Sequence, residues 1–152
     1  MMPLSCRHYT YKSVMITPIR QALAASVVLG LVACGSSQPI VNEGGGIHVD
    51  GEGTVLLTET VQLDPGRNPG ATKGDIEAEI GRQLGVDTFV WLPRGLTRDY
   101  DEFGTRGHVD IVACFTPTGR VLLHWQEDES HPDHAVSREI EAVLLAARDS
   151  AG

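Results

Sequence analysis

The chain has 152 residues with 5% aromatics, enough for one domain whose core must be mostly aliphatic. A formal net charge of −8, from 12 basic and 20 acidic residues, argues against a nucleic-acid binder, which would show a basic face. Three scattered cysteines (Cys6, Cys34 and Cys114) with no CxxC pair argue against a disulfide framework or a structural zinc site.

Residues 1–42 contain Arg7, Lys12 and Arg20 and no acidic residue, so all 20 acidic residues lie from Glu43 onward. From Met15 the chain reads MITPIRQALAASVVLGLVACGSSQ. Ala22 to Ala33 has the length of a signal-peptide core and falls short of the roughly 20 residues that span a bilayer. LVAC followed by GSSQ resembles a bacterial lipoprotein signal, in which Cys34 is lipidated. Two alternatives stand beside it: an Ala-rich buried helix of the domain, and upstream sequence mis-joined by a gene-model error or rearrangement.

Ile47–Val49 and Thr54–Val61 read as strands around Asp50-Gly51-Glu52-Gly53, whose Asp-Gly pair is a strong hairpin signal. LDPGRNPG is a loop. Thr72 is an N-cap with Asp75 three residues later, as in a capping box. Ile76, Ile80 and Leu84 recur at helical spacing, and Gly85 is a natural C-cap. Thr88–Leu92 (TFVWL) is a short buried strand ended by Pro93.

The order then begins again. His108–Phe115 reads as a strand, Thr116-Pro117-Thr118-Gly119 as a turn and Arg120–Gln126 as the returning strand. EDESHPD is a polar loop, and Ala135–Arg148 is a helix with Val136, Ile140, Val143, Leu144 and Ala147 on one face. Hairpin, helix and strand are thus followed by hairpin and helix, a modular α/β pattern that lacks the second unit's closing strand.

Within GHVDIVACF, strand alternation puts His108, Asp110, Val112 and Cys114 on one face and Val109, Ile111, Ala113 and Phe115 on the other. His108 and Asp110 would stand roughly 6.5–7 Å apart along the strand, a gap that suits a small polar group between them. A solvated strand end is the plainer alternative.

NEGGGIHVDGEGTVLLTE, the RNP of LDPGRNPG, WLPRGL and GHVDIVACF, in that order, resemble the agmatine deiminase family of the guanidine-modifying superfamily that includes peptidylarginine deiminase. The resemblance sets residues 1–38 apart as a non-family segment and makes 39–152 a partial deiminase-like domain. It implies a five-bladed α/β propeller of ββαβ units, here about two units with the last strand missing. It also implies hydrolysis of a C–N bond of agmatine to N-carbamoylputrescine and ammonia, without metal or organic cofactor, in the cytoplasm. A membrane tie would come only through a lipidated Cys34, and homo-oligomerisation is left open.

In that chemistry a cysteine thiolate attacks the guanidinium carbon, a histidine moves protons, and carboxylates grip the flat cation through charge-assisted hydrogen bonds. By resemblance His108 is the general acid/base, Asp110 binds the guanidinium, and Glu43 lies near both histidine and substrate. Gly44, Gly45 and Gly46 permit close backbone approach beside it. His48, Asp50 and Glu52 are given hairpin and packing roles, and Arg94 anchors the WLPRGL loop to an unnamed partner.

The family's nucleophile lies in a second glycine-rich stretch resembling GGGxxHC, which is absent here, as is the motif supplying a further substrate aspartate. Thr97-Arg98-Asp99 follows WLPRGL and is in the wrong place to replace that motif. Cys114 shares His108's face, but six residues of strand would separate them by roughly 20 Å. The chain alone is therefore expected to be inactive. A peptidylarginine substrate and a lipid-anchored guanidinium-binding module without chemistry are alternatives. A metal site at Glu127, Asp128, His131 and His134 has only loose spacing in its favour.

Overall fold

The structure is a computed structural model and describes residues 10–18 and 39–150. The apolar run from Ala22 to Ala33, Cys6 and Cys34 therefore lie outside the described residues. Among the described residues, three separate sheets and two longer helices make an α/β fold.

The first unit runs Ile47–Val49 (β1), Thr54–Thr58 (β2), the helical turn Glu59–Gln62 (α1), Lys73–Leu84 (α2) and Thr88–Leu92 (β3). β1 and β2 form the expected antiparallel hairpin, and β3 pairs with β2 in parallel. The hairpin turn is fixed by Asp50, whose Oδ1 accepts from the Glu52 and Thr54 amides at 2.7 and 2.9 Å. Thr72 and Asp75 form a reciprocal capping box at the start of α2, and Gly85 ends the helix in the left-handed region at φ 71°.

All five residues of β2 are buried, because it has apolar matter on both faces. Val55 and Leu57 pack with Ile76 and Ile80 of α2, while Leu56 joins Val90, Leu92, Val121, Leu123 and Ile140 in a larger core. Burying each such side chain is worth about 1.5–3 kcal/mol. Leu84, expected on the buried helical face, is 47% exposed.

The expected strand Thr54–Val61 stops at Thr58. Thr58 is paired with Leu92, and the next residue on the partner strand is Pro93, which has no N–H with which to extend the ladder. The chain turns there into α1.

The second unit contains Ala113–Phe115 (β4), Arg120–Trp125 (β5), Asp133–Ala146 (α3) and Arg148–Asp149 (β6). β4 and β5 are an antiparallel pair joined by the expected turn, with Gly119 at φ 73°. α3 begins two residues before the expected start. Asp133 in its first turn accepts from the Thr97 amide at 2.7 Å, tying the helix to the preceding loop.

Two findings depart from the sequence reading. Only Ala113–Phe115 of the expected strand His108–Phe115 is extended. Val109 O accepts from the amides of Val112 and Ala113 at 2.9 and 2.8 Å, closing a turn over residues 109–112. Ile111, expected in the core, is consequently 44% exposed, whereas Val112 is 1% exposed. The backbone of 107–110 cannot enter a ladder because its groups are already bonded to Asp99, Thr58 and Gly45.

The second departure concerns the N-terminal side. Thr10–Met15 (β7) pairs antiparallel with β5 along its whole length, and Val14 and Ile16 lie in the larger core. Thr17–Pro18 (β8) pairs in parallel with β6, so a two-residue strand follows α3 where none was expected. Residues 10–18 thus belong to the same packed body as the two units. Among the described residues no sheet closes on itself, and the structure contains two repeated units.

Candidate active site

Glu43 stands in extended backbone at the entrance to the short 3-10 turn Gly44–Gly46, where the Gly46 amide donates to its carbonyl at 2.9 Å. The segment before it is sewn to the RNP loop by Asn68. That side chain accepts from the Val41 amide and donates to the carbonyls of Val41 and Gln62. The same loop delivers Arg67 to Glu43. Arg67 Nε and Nη2 donate to the two carboxylate oxygens, each at 2.9 Å, and Nη2 also donates to Thr105 O at 2.8 Å.

The ring of His108 completes the contact. Its Nε2 lies 2.5 Å from Glu43 Oε2. The bonds from Arg67 and then from His108 hold the Glu43 carboxyl down to about 2 against the penalty of burial. An ionised carboxylate can only accept, so Nε2 carries a proton and donates. In the neutral ring, Nδ1 is then the basic nitrogen.

Gly45 shows where Nδ1 faces. A Cβ there would collide with His108 Nδ1 and would come within 2.7 Å of Asp110 Oδ2. The histidine nitrogen and the aspartate oxygen therefore converge over a bare glycine backbone. The Asp110 amide donates to Gly45 O at 3.2 Å, which fixes the turn against the glycine. His108, Asp110 and Glu43 are thus brought together as the sequence suggested, but by a turn rather than by strand alternation. The 20 Å separation between His108 and Cys114 assumed a straight strand and does not apply to this path. Cys114 sits half-buried in β4, opposite Leu122.

Three contributors were not read from the sequence. Arg67 stood in one of the motifs of the family resemblance but was given no role. Asp64 accepts from Arg106 Nε at 2.6 Å and pairs with Arg67 Nη1 at 3.6 Å, linking the RNP loop to the residue two before His108. Asp99, judged misplaced to replace a substrate aspartate, accepts from the amides of Thr105, Gly107 and His108 at 2.9, 2.7 and 3.0 Å and from the Thr105 hydroxyl. Burial pushes its carboxyl up, but these bonds outweigh burial and leave it below its usual range. The signal for all three lay in non-local pairing, which spacing along the chain does not reveal.

The secondary assignments resolve individually. His48 Nδ1 accepts from the Phe115 amide at 3.3 Å, and burial, partly opposed by the Asp110 charge, pushes its pKa down. Arg94 finds its partner in Glu139 of α3 at 2.7 Å. Asp128 closes a turn on Ser130, and His131 Nδ1 accepts from the Asp133 amide. Among the described residues no three His, Cys, Asp or Glu side chains are grouped to hold a metal ion. A hollow of about 720 Å³ lies between Pro39–Ile40, Asn68–Ala71 and α2, and none of Glu43, His108 or Asp110 lines it. No described helix is long and apolar enough to cross a membrane.

Residues 14–152 match the sequence model of the Porphyromonas-type peptidyl-arginine deiminase family, a span that includes the apolar run and Cys34. A Streptomyces coelicolor protein provisionally named agmatine deiminase is 54% identical over 130 residues, covering 86% of this chain and 36% of its own length. Its Streptomyces avermitilis counterpart, with the same provisional name, is 60% identical over 115 residues, covering 74% and 33%. The solved agmatine deiminase of Enterococcus faecalis superposes with a TM-score of 0.66 at 40% identity, over 72% of this chain and 29% of that one. The chain spans about a third of the length of the curated relatives it matches. Sequence motifs, fold and matched span agree: the chain belongs to the Porphyromonas-type peptidyl-arginine deiminase family, among whose members it is similar to agmatine deiminases.

Proposed function

We propose that this chain supplies the acid/base and guanidinium-binding half of an agmatine deiminase site, set in a five-bladed propeller. The observation that carries the reading is the convergence of His108 Nδ1 and Asp110 Oδ2 over Gly45, with Nε2 held by Glu43. The proposed reaction is agmatine plus water giving N-carbamoylputrescine plus ammonia. A cysteine thiolate, supplied from beyond the described residues, adds to the guanidinium carbon. His108, cycling between imidazolium and imidazole at Nδ1, gives a proton to the departing ammonia and takes one from the attacking water.

Asp110 is the primary guanidinium grip. Glu43 has three of its roughly four acceptor positions occupied by Arg67 and His108, so its main part is to orient the ring, with one lone pair left for substrate. The setting is cytoplasmic. A peptidyl-arginine substrate is the second reading, favoured by the description of the family itself.

The test is an NMR titration of the full chain with agmatine and, separately, with N-acetylarginine amide, alongside an ammonia assay. Agmatine is expected to shift the signals of Gly45, His108 and Asp110. No ammonia above background is expected, since losing a covalent nucleophile costs about a millionfold in comparable hydrolases. Shifts confined to the hollow beside α2, or no shifts at all, would overturn the site. Turnover would overturn the missing-nucleophile account, and a response to the arginine amide alone would favour the second reading.

A further inference from the structure

We propose that Asp99 is a positioning residue for His108, acting through the backbone of 105–108 and through Thr105. The proposal deepens the acid/base role given to His108 above and rests on it.

The approach to His108 is conformationally costly. Arg106 has φ 68° and Gly107 φ 107°, two consecutive residues in the left-handed region. For arginine this backbone costs roughly 1–2 kcal/mol relative to the ordinary helical region. Consecutive amides in such a turn point inward and form a concave anion seat. The seat is filled from within. Asp99 Oδ2 takes the Gly107 and His108 amides, and Oδ1 takes the Thr105 amide. The Arg106 amide donates to Asp99 O at 2.8 Å, so all four amides of the turn end on one residue. The opposite side of Gly107 is enclosed by Thr58, whose hydroxyl donates to Gly107 O at 2.6 Å, and by Thr60 and Tyr100.

Thr105 joins this seat to the acid/base pair. Its amide and hydroxyl donate to Asp99, while its carbonyl accepts from Arg67. Arg67 donates to Glu43, Glu43 accepts from the His108 ring, and the His108 amide returns to Asp99. The hydrogen bonds form a closed circuit that leaves His108 by its side chain and returns by its backbone. Holding both ends of a residue fixes where its ring lies, which acid/base catalysis requires within hydrogen-bond reach. Asp99 bonds the His108 amide and not its ring, and so acts on the ring through other groups.

The experiment follows the His108 Nε2 proton of the full chain by NMR in Asp99→Asn, Thr105→Val and Arg94→Ala variants. Asp99→Asn weakens the whole seat, and Thr105→Val removes only the hydroxyl, which donates to Asp99 and accepts from the His108 amide at 3.3 Å, so it reports even if the first variant fails to fold. Arg94→Ala breaks a peripheral ion pair and controls for general loss of stability. Exchange of the Nε2 proton with water is expected to quicken about tenfold in Asp99→Asn and by a smaller factor in Thr105→Val. The Arg94→Ala rate should match the unaltered chain. Unchanged exchange in a folded Asp99→Asn or Thr105→Val variant would overturn the proposal, as would equal acceleration in Arg94→Ala. The readout needs no substrate, so failure of agmatine to bind would remove the proposed function without altering this result.

Discussion

Replacing Arg67 by methionine keeps the length of the side chain and removes its charge and donors. Three hydrogen bonds are lost, two to Glu43 and one to Thr105 O, together with the weaker contact to Asp64. Hydrogen bonds to charged groups contribute about 1.5–3 kcal/mol each. The Arg67 side chain is only 16% exposed, but that of Glu43 is 38% exposed, so solvent screens the pair and the sum must be discounted. A net loss of roughly 2–4 kcal/mol at pH 7 is expected from urea unfolding of the two proteins.

The pH dependence of that loss tests its cause. The folded-state carboxyl of Glu43 is held at about 2, below its ordinary value of 4.5, with Arg67 the largest contributor. A depressed carboxyl contributes stability that is fully present above its unfolded value and is lost as the pH falls through the folded one. The difference between the unaltered chain and Arg67→Met should therefore hold from pH 7 to about pH 5 and narrow between about pH 4.5 and pH 2. A gap that stays constant down to pH 2 would refute the ionic account and leave lost packing as the role of Arg67.

Two further substitutions probe the surrounding geometry. Gly45→Ala should cost about 1–3 kcal/mol by displacing the His108 ring and the Asp110 side chain, and should abolish the agmatine-induced shifts; an unaltered His108 spectrum would count against the close approach. Thr72→Ala removes the side-chain half of a capping box on α2 and should lower stability by about 1 kcal/mol in thermal or urea unfolding while leaving the His108 signals in place.

Features governed by near neighbours were legible in the sequence. The Asp50-Gly51 hairpin, the Thr72–Asp75 box, the Gly85 stop and the Thr116–Gly119 turn all satisfy their backbone groups within five residues. Residues 109–112 were not legible, because an apolar run of that length has the same pattern in a strand and in a buried turn. What decides between them is Asp99, which holds amides six to nine residues after it, together with Thr58 and Gly45, about 50 and 65 residues from the groups they bond. Arg67 was hidden for the same reason, since its partners are 24 and 38 residues distant. The candidate site residues Glu43, His108 and Asp110 were named through the family resemblance, while the contacts that bring them together became visible only in three dimensions.

The strand at Thr10–Met15 bears on how the polypeptide could be processed. Lipoprotein maturation cuts immediately before the acceptor cysteine, here between Ala33 and Cys34, and discards everything upstream. That cut would peel away the outer member of a three-stranded sheet, bare the rim of Arg120–Trp125 for intermolecular pairing, and empty the sockets filled by Val14 and Ile16. Such a cut would therefore be incompatible with this folded state, and a recombinant form trimmed to residue 39 would carry the same injury.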